Sequence, residues 1–177
     1  GPDALAEPMD AALSHSVQAA DAGLRAGASA LVVADDLAGS EGPLLDPAFL
    51  RAAVFPRLAV LTALADESGV PSILHSDGDA RALMPATAAA GFVAVHGDCG
   101  GGRHLESSLA AARVAGLAMI GGIPTAALAD EDTARAAGVR AGAFAATGGL
   151  LPADDGGVAT VVEARALLGA LGAISRG

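Results

Sequence analysis

Short apolar runs alternate with longer, alanine-rich stretches of helical period from about residue 14 to the end of the chain. This alternation is typical of βα units. It predicts five strands: Ala30–Ala34, Pro71–Leu74, Phe92–Val95, Leu117–Ile120 and Phe144–Ala146. Because these runs are apolar throughout, we expect each strand to be buried on both faces, as in a parallel sheet.

Helical segments separate these strands. The predicted helices are Ser16–Ala26, a segment from Asp46 towards Gly69 with a kink at Pro56, residues 80–90, Leu105–Ala115, Asp130–Ala141 and Val158–Leu171. Gly27 suits a left-handed C-cap, and Asp46 followed by Pro47 is typical of a helix start. We expect residues 1–14 to be an N-terminal tail or tag remnant, and residues 15–177 to form one α/β domain.

Length and composition favour a globular domain without a membrane span. The chain has 177 residues, 53% of them hydrophobic, and its only aromatic residues are four Phe. Mean hydropathy is +0.51, but charged residues, glycine or proline interrupt every apolar run before the ~18 residues that a membrane helix requires. We expect no targeting signal, because no basic segment followed by an apolar stretch opens these 177 residues. The single cysteine excludes an internal disulfide. We therefore expect a cytoplasmic protein.

The charge balance narrows the classes of partner. Net charge is −10, from 20 acidic and 10 basic residues, and every basic residue is arginine. A chain with this negative charge repels nucleic acid and anionic membranes, so we expect neither as a partner. We expect a small-molecule substrate instead. The absence of lysine excludes Schiff-base chemistry and a P-loop.

Polar residues collect where the predicted strands end, which is the edge where parallel α/β folds build their sites. Asp35 and Asp36 follow the first strand; one of them is expected to face a site, although an acidic turn would have the same sequence. His75 and Asp77 follow the second strand two residues apart, so they leave it on the same side. They suit either a shared metal ion or a proton-relay pair, and a histidine bonded to a loop carboxylate has the same spacing.

The next strand end repeats this pattern with His96, Asp98 and Cys99. Together with His75 and Asp77, this segment offers nitrogen, oxygen and sulfur ligands for zinc, while a partly buried thiol beside ordinary loop residues is the alternative. Arg103 follows three glycines near a helix N-terminus, where it either contacts an anion or lies in a flexible loop.

The order of these motifs resembles the uroporphyrinogen decarboxylase superfamily over about residues 15 to 173. The segments that carry the likeness are Ala26–Ala30 running into Asp35-Asp36, Leu44–Leu50, Phe55–Leu58, Val70–Asp79, Ala90–Phe92, Gly121–Ile123 and Gly148–Pro152. The resemblance implies an α/β fold of parallel βα units of the TIM-barrel type, with about five of eight units present as a partial or split barrel. An eight-unit barrel typically needs ~250 residues.

The resemblance is nearest to the superfamily's methyltransferase-like branch, whose zinc-dependent members exchange methyl groups with corrinoids or thiols. It implies that His75 matches the metal-binding histidine of that branch and that Asp77 stands where a cysteine often lies. The implied metal ligands are His75, Asp77 and Cys99. The implied catalytic residues are Asp36, His75 and Asp77, and the expected substrate-binding residues are Asp35, His96 and Arg103.

Two departures keep alternatives open. The branch's later metal-binding cysteine and the decarboxylase's late histidine would both fall near Gly148-Gly149, where this chain has neither. The family's N-terminal arginine pair and catalytic aspartate also have no counterpart. Three functions therefore remain: metal-assisted methyl transfer with zinc and a corrinoid on a partner protein, cofactor-free decarboxylation of a uroporphyrinogen, or a non-catalytic truncated barrel. Five βα units would leave an open sheet edge, so we expect a homo-oligomer or a complementary chain.

Overall fold

The computed structural model describes residues 3–97 and 104–174. Its strands are β1 (Leu31–Ala34), β2 (Ala38–Gly39), β3 (Gly42–Pro43), β4 (Ser72–His75), β5 (Ala94–His96), β6 (Ala118–Ile123) and β7 (Leu150–Asp154). Its α-helices are α1 (Asp3–Arg25), α2 (Pro47–Phe49), α3 (Phe55–Glu67), α4 (Met84–Ala89), α5 (Leu105–Ala115), α6 (Glu131–Ala145) and α7 (Val161–Ile174).

Five strands form one parallel sheet in the order β1-β4-β5-β6-β7. Each strand lies beside the next one in sequence, and helices connect them, as in a run of βα units from a TIM-type barrel. The two short strands β2 and β3 form a separate antiparallel hairpin after β1. The predicted α/β class and partial barrel are therefore confirmed.

Helices cover one face of this sheet. Leu74, Met119 and Leu150 point into the main core, where they pack with residues of α3, α4 and α5. Alternate strand residues point the other way: Val32 is 56% exposed and Leu151 is 62% exposed. Within the described residues, the second face of the sheet is therefore open. The expectation that the strands are buried on both faces is wrong at these positions, because helices cover only one face.

A second, smaller core lies between α6 and α7. It is built mainly from small residues: Ala134, Gly138 and Ala141 are buried on α6, and Ala166 and Ala170 are buried on α7. Small side chains let two helix backbones approach closely, which explains how this alanine-rich helix pair packs without large side chains at its closest contact.

The predicted first helix begins too late. The structure starts α1 at Asp3 rather than at Ser16. Leu5, Met9 and Leu13 recur at four-residue spacing and face one cavity, so the helical period extends through residues that the sequence pattern assigned to a tail.

The predicted fifth strand is wrong. Phe144–Ala146 does not form a strand; α6 continues through Phe144 to Ala145, and the strand β7 begins at Leu150. The buried positions of α6 recur every three or four residues up to Ala141, and Phe144 packs on the main core. The apolar residues at the end of this helix therefore have the same sequence pattern as a short strand. Gly148 and Gly149, with φ of +84° and +81°, make the turn into β7.

The segment from Asp46 to Gly69 is interrupted, as the sequence predicted, but before Pro56. A π-helical turn at Leu50–Val54 separates α2 from α3, and the Phe55 N–H donates to the Leu50 carbonyl. Pro56 has no backbone N–H to donate, and this favours an interruption of the regular α-helical hydrogen bonds just before it.

Residues Pro47–Glu67 are long and apolar enough to cross a membrane by length and composition. In the structure, Leu50, Phe55, Leu58 and Leu61 of this segment are buried against the sheet. The core helix of a soluble protein passes the same test of length and composition, and 39% of this apolar window is buried in the structure.

Candidate functional site

The chemically active side chains gather at the carboxyl ends of β1, β4 and β5. His75 ends β4 and His96 ends β5, and the two residues are directly paired in the sheet register, as are Ala34 and His75. Paired residues in adjacent parallel strands point to the same face. The register therefore places both imidazoles together on the open face.

The two histidines contact each other through a single hydrogen bond. Nδ1 of His75 lies 2.8 Å from Nδ1 of His96, and the rings are tilted by 33° with centroids 4.8 Å apart. On its other side, Nε2 of His96 lies 3.0 Å from the carbonyl oxygen of Asp154 at the end of β7. A chain of hydrogen bonds therefore runs from β7 through His96 to His75.

On the far side of His75, two carboxylates complete a potential metal-ligand group. One ligand atom from each of Asp36, His75 and Asp77 lies within 4.8 Å of the others. Nε2 of His75 is 3.8 Å from Oδ1 of Asp77, and the Asp77 N–H donates to Oδ1 of Asp36 at 3.0 Å. The three residues thus converge from two adjacent strand ends.

Oδ1 of Asp77 is shielded from solvent and has no hydrogen-bond donor among the described residues, although its side chain as a whole is 49% exposed. A buried carboxylate oxygen without a donor is costly unless a cation or proton approaches it. Oδ1 of Asp77 is therefore available to bind a cation or a proton donor beside His75.

Ser76 holds the two loops that carry these carboxylates. Its buried hydroxyl accepts the Leu37 N–H at 3.0 Å and donates to the Asp77 carbonyl at 3.1 Å. Gly78, at φ +77°, lets the β2–β3 hairpin approach closely, because a Cβ there would lie 2.5 Å from the Gly39 carbonyl oxygen. The local sequence thus fixes the position of Asp77.

Asp35 lies next to the cluster at the wall of a largely apolar cavity of about 670 Å³ between α1 and the start of α3. Desolvation, followed by repulsion from Asp36, raises the pKa of the Asp35 carboxyl. Asp79 behaves in the opposite way, since its two hydrogen bonds from the Arg81 side chain lower its pKa. The mouth of the site therefore holds carboxylates with different proton affinities.

The structure brings together four of the residues singled out in the sequence: Asp36, His75, Asp77 and His96. Asp35 lies beside them. Cys99 and Arg103, which the sequence assigned to metal and substrate binding, lie outside the described residues, as does Asp98. The sequence pattern did not include Asp36 among the candidate metal ligands. The signal that could have found it was its position at the end of the strand that pairs with the His75 strand.

A model of the uroporphyrinogen decarboxylase (URO-D) family matches residues 1–141. Because that match covers most of the chain, the protein belongs to the uroporphyrinogen decarboxylase family. A comparison with curated protein sequences gave no significant match.

Among solved structures, the fold is similar to that of a methyltransferase from Methanosarcina mazei, with a TM-score of 0.73 and 21% sequence identity. The similarity covers 98% of this chain and 50% of the methyltransferase. The chain therefore spans about half the length of this structural relative, and at this identity the likeness concerns the fold.

Proposed function

We propose that this chain is part of a methyltransferase-like enzyme that moves a methyl group between a corrinoid and a thiol with the help of a bound metal ion. The observation that carries this proposal is the Asp36–His75–Asp77 group with its orphaned Asp77 oxygen. Family membership and the fold shared with a methyltransferase support the same class of reaction.

The donor atoms fit a divalent metal ion. One imidazole nitrogen and two carboxylate oxygens suit zinc and other first-row ions of borderline hardness. Cys99 follows His96 by three residues, and we keep it as a proposed additional ligand. When bound, zinc would lower the pKa of an acceptor thiol and stabilise the thiolate.

The protein's own groups would prepare this site for the thiol. His75 presents one ring nitrogen to the two carboxylates, and the Asp77 N–H holds one oxygen of Asp36 in place. Asp35 borders the apolar cavity, where its raised pKa makes the carboxylate a better proton acceptor for a substrate group. We retain Asp35 and Arg103 as proposed substrate contacts; both ring nitrogens of His96 are already engaged, by His75 and by the Asp154 carbonyl.

Cofactor-free decarboxylation of a uroporphyrinogen is the weaker alternative. That substrate carries several carboxylates, whereas Asp35, Asp36, Asp77 and Asp79 line the strand ends of this chain. Close like charges disfavour such a ligand. A barrel that binds a ligand without turnover is the remaining alternative, and it predicts the same fold without methyl transfer.

We further propose that another polypeptide completes the barrel, either a second copy or a complementary chain. Among the described residues, no strand pairs with the outer edge of β1 or of β7. The N–H groups of Leu31 and Asp35 donate towards β4, so the backbone groups of Val32 and Ala34 face the unpaired edge. The cytoplasmic location stays a prediction.

The proposal can be tested by loading the purified protein with Zn²⁺ and measuring bound metal by elemental analysis and calorimetry. We expect one ion per chain in the wild type and loss of binding in Asp77→Ala. Asp132→Ala, which removes an exposed carboxylate from α6, is the matched control and should bind like the wild type. Wild-type protein that cannot be loaded would overturn the metal-assisted mechanism.

Turnover is a separate measurement. Methylcobalamin and a simple thiol are incubated with the zinc-loaded protein, and loss of the methyl–cobalt absorbance is followed. We expect demethylation that depends on the thiol and is abolished in His75→Ala. If the loaded protein binds zinc and remains inactive both as a monomer and in the associated form that completes the barrel, the non-catalytic alternative replaces methyl transfer.

A further inference from the structure

His96 contacts the proposed metal ligand His75 on the side that faces away from Asp36 and Asp77. We propose that His96 is a positioning residue: it holds the neutral imidazole of His75 in the tautomer with hydrogen on Nδ1, so that the lone pair of Nε2 faces the two carboxylates. This inference rests on the proposed metal site and names the residue that prepares it.

With both rings neutral, the direction of each hydrogen bond follows from which atoms can donate and which can only accept. The Asp154 carbonyl oxygen only accepts, so Nε2 of His96 must donate to it. A neutral imidazole with hydrogen on Nε2 has a lone pair on Nδ1, which accepts from its partner. Nδ1 of His75, 2.8 Å away, is therefore the donor. With hydrogen on Nδ1, the Nε2 atom of neutral His75 carries a lone pair.

That lone pair has no donor facing it in the Asp36–His75–Asp77 group. Nε2 of His75 and Oδ1 of Asp77 are 3.8 Å apart, which is too long for a direct hydrogen bond. Two electron-rich atoms at this separation suit neighbouring ligands of one cation. Metal-binding histidines generally donate their second ring N–H to an acceptor that fixes the tautomer. Here a second histidine takes that place.

The sheet makes this arrangement possible. His75 and His96 are paired in the register of β4 and β5, so their separation is set by two backbone strands rather than by flexible loops. Asp154 belongs to β7, which contributes its main-chain carbonyl. Three strands thus orient one ligand.

The test compares His96→Asn with His96→Phe. Asparagine keeps an acceptor oxygen close to the position of Nδ1, whereas phenylalanine fills the volume without an acceptor. We expect His96→Phe to bind Zn²⁺ about 10–100-fold more weakly than the wild type, and His96→Asn to restore most of the affinity. His15→Phe, an exposed change on α1, is the control for removing a histidine.

A spectroscopic readout separates positioning from general damage to the fold. In metal-free protein labelled with ¹⁵N-histidine, two-bond ¹H–¹⁵N spectra report which ring nitrogen of His75 carries hydrogen. We expect hydrogen on Nδ1 in the wild type and in His96→Asn, and a shift towards Nε2–H in His96→Phe. Circular dichroism checks that each variant is folded.

The outcomes distinguish this inference from the proposed function. Hydrogen on Nε2 of wild-type His75, or unchanged zinc affinity in a folded His96→Phe variant, would overturn the positioning role while leaving metal binding intact. A wild-type protein that shows the expected tautomer but binds no Zn²⁺ would instead overturn the proposed metal site and leave the orientation of His75 by His96 standing.

Discussion

Asp155 illustrates how one buried carboxylate holds two loops together beside the site. It is 3% exposed, and its Oδ1 accepts both the N–H and the hydroxyl of Thr125 at 2.8 and 3.0 Å. These bonds fasten the end of β7 to the segment that follows β6. Asp154, the next residue back, supplies the carbonyl that contacts His96, so the same link also supports the histidine pair.

Asp155→Ala is expected to destabilise the protein by about 2–3 kcal/mol, because the Thr125 N–H would lose its acceptor in a part-buried position. Chemical denaturation in urea measures the effect. Asp132→Ala removes an exposed carboxylate of the same type and should change stability by less than about 0.5 kcal/mol. Equal effects of the two substitutions would contradict the role assigned to Asp155.

At the level of elements, α6 and α7 depend on a close backbone contact. Gly138 lies on the buried face of α6, and a Cβ at this position would be 2.3 Å from the Ala170 carbonyl oxygen. No rotamer change can relieve a clash between a Cβ and main-chain atoms, so the helices would have to separate. The glycine is therefore required by packing rather than by its backbone angles.

Gly138→Ala should lower the free energy of unfolding by about 1–3 kcal/mol through overpacking. Gly169→Ala on α7 provides the opposite case, since nothing lies within 4 Å of the point that its Cβ would occupy. Alanine has the higher helix propensity, so this change should stabilise the protein by about 0.5–1 kcal/mol. Thermal unfolding of both variants measures the sign of each change in stability. The packing argument would be refuted if Gly169→Ala destabilised the protein and Gly138→Ala left its stability unchanged.

The start of α6 carries a pH-sensitive cap. The side chain of Asp130 accepts hydrogen bonds from the Thr133 hydroxyl at 2.7 Å and the Thr133 N–H at 2.8 Å. The hydroxyl bond first, and the backbone bond next, lower the pKa of Asp130. Because the carboxylate is favoured in the folded state, its stabilising effect is present above the unfolded pKa of about 4 and is lost as pH falls through the lowered folded value.

Asp130→Asn retains a capping side chain but cannot ionise. The wild type should therefore have a higher melting temperature than Asp130→Asn at pH 7, and the difference should shrink as pH falls from about 5 to about 2. Asp130→Ala lacks the cap and should be less stable at both ends of this range. A wild-type advantage of the same size at neutral and at strongly acidic pH would show that the charge of Asp130 does not contribute.

Across the whole molecule, the sheet has one covered and one open face. The open face carries the histidine pair together with exposed Val32 and Leu151. Unpaired strand edges and exposed apolar strand residues favour association with another chain. A catalytic site at these strand ends would also gain walls from whatever completes the barrel.

The isolated chain is expected to self-associate, and light scattering over a range of concentrations should detect species larger than the monomer. Val32→Lys places a charge on the open face beside the unpaired edge and should reduce association. Val114→Lys is the matched control, because Val114 is 91% exposed on the outer surface of α5. A wild-type chain that is monomeric at every concentration would contradict the association.

The sequence by itself determined the succession of βα units, the acidic charge and the clustering of polar residues at strand ends. These features follow from local periodicity and from the rule that parallel strands end at one edge. Residue order alone was therefore enough to single out His75, Asp77 and His96, while it left Asp35 and Asp36 as alternatives. The family was also readable from motifs in order. The local sequence pattern gave the wrong element at Phe144, because the apolar end of a helix looks like a short strand. It also placed the start of the first helix too late, because the helical spacing of apolar residues already begins at Leu5 and Met9.

Only the tertiary structure decided which of those polar groups touch. The pairing of Ala34 with His75 and of His75 with His96 is a matter of register, which depends on contacts between segments far apart in the chain. The same register sets Asp36 beside Asp77, brings the Asp154 carbonyl to His96, and leaves one oxygen of Asp77 without a donor among the described residues. Residue types supplied the candidate ligands, and the geometry of adjacent strands determined which of them converge and how His75 is oriented.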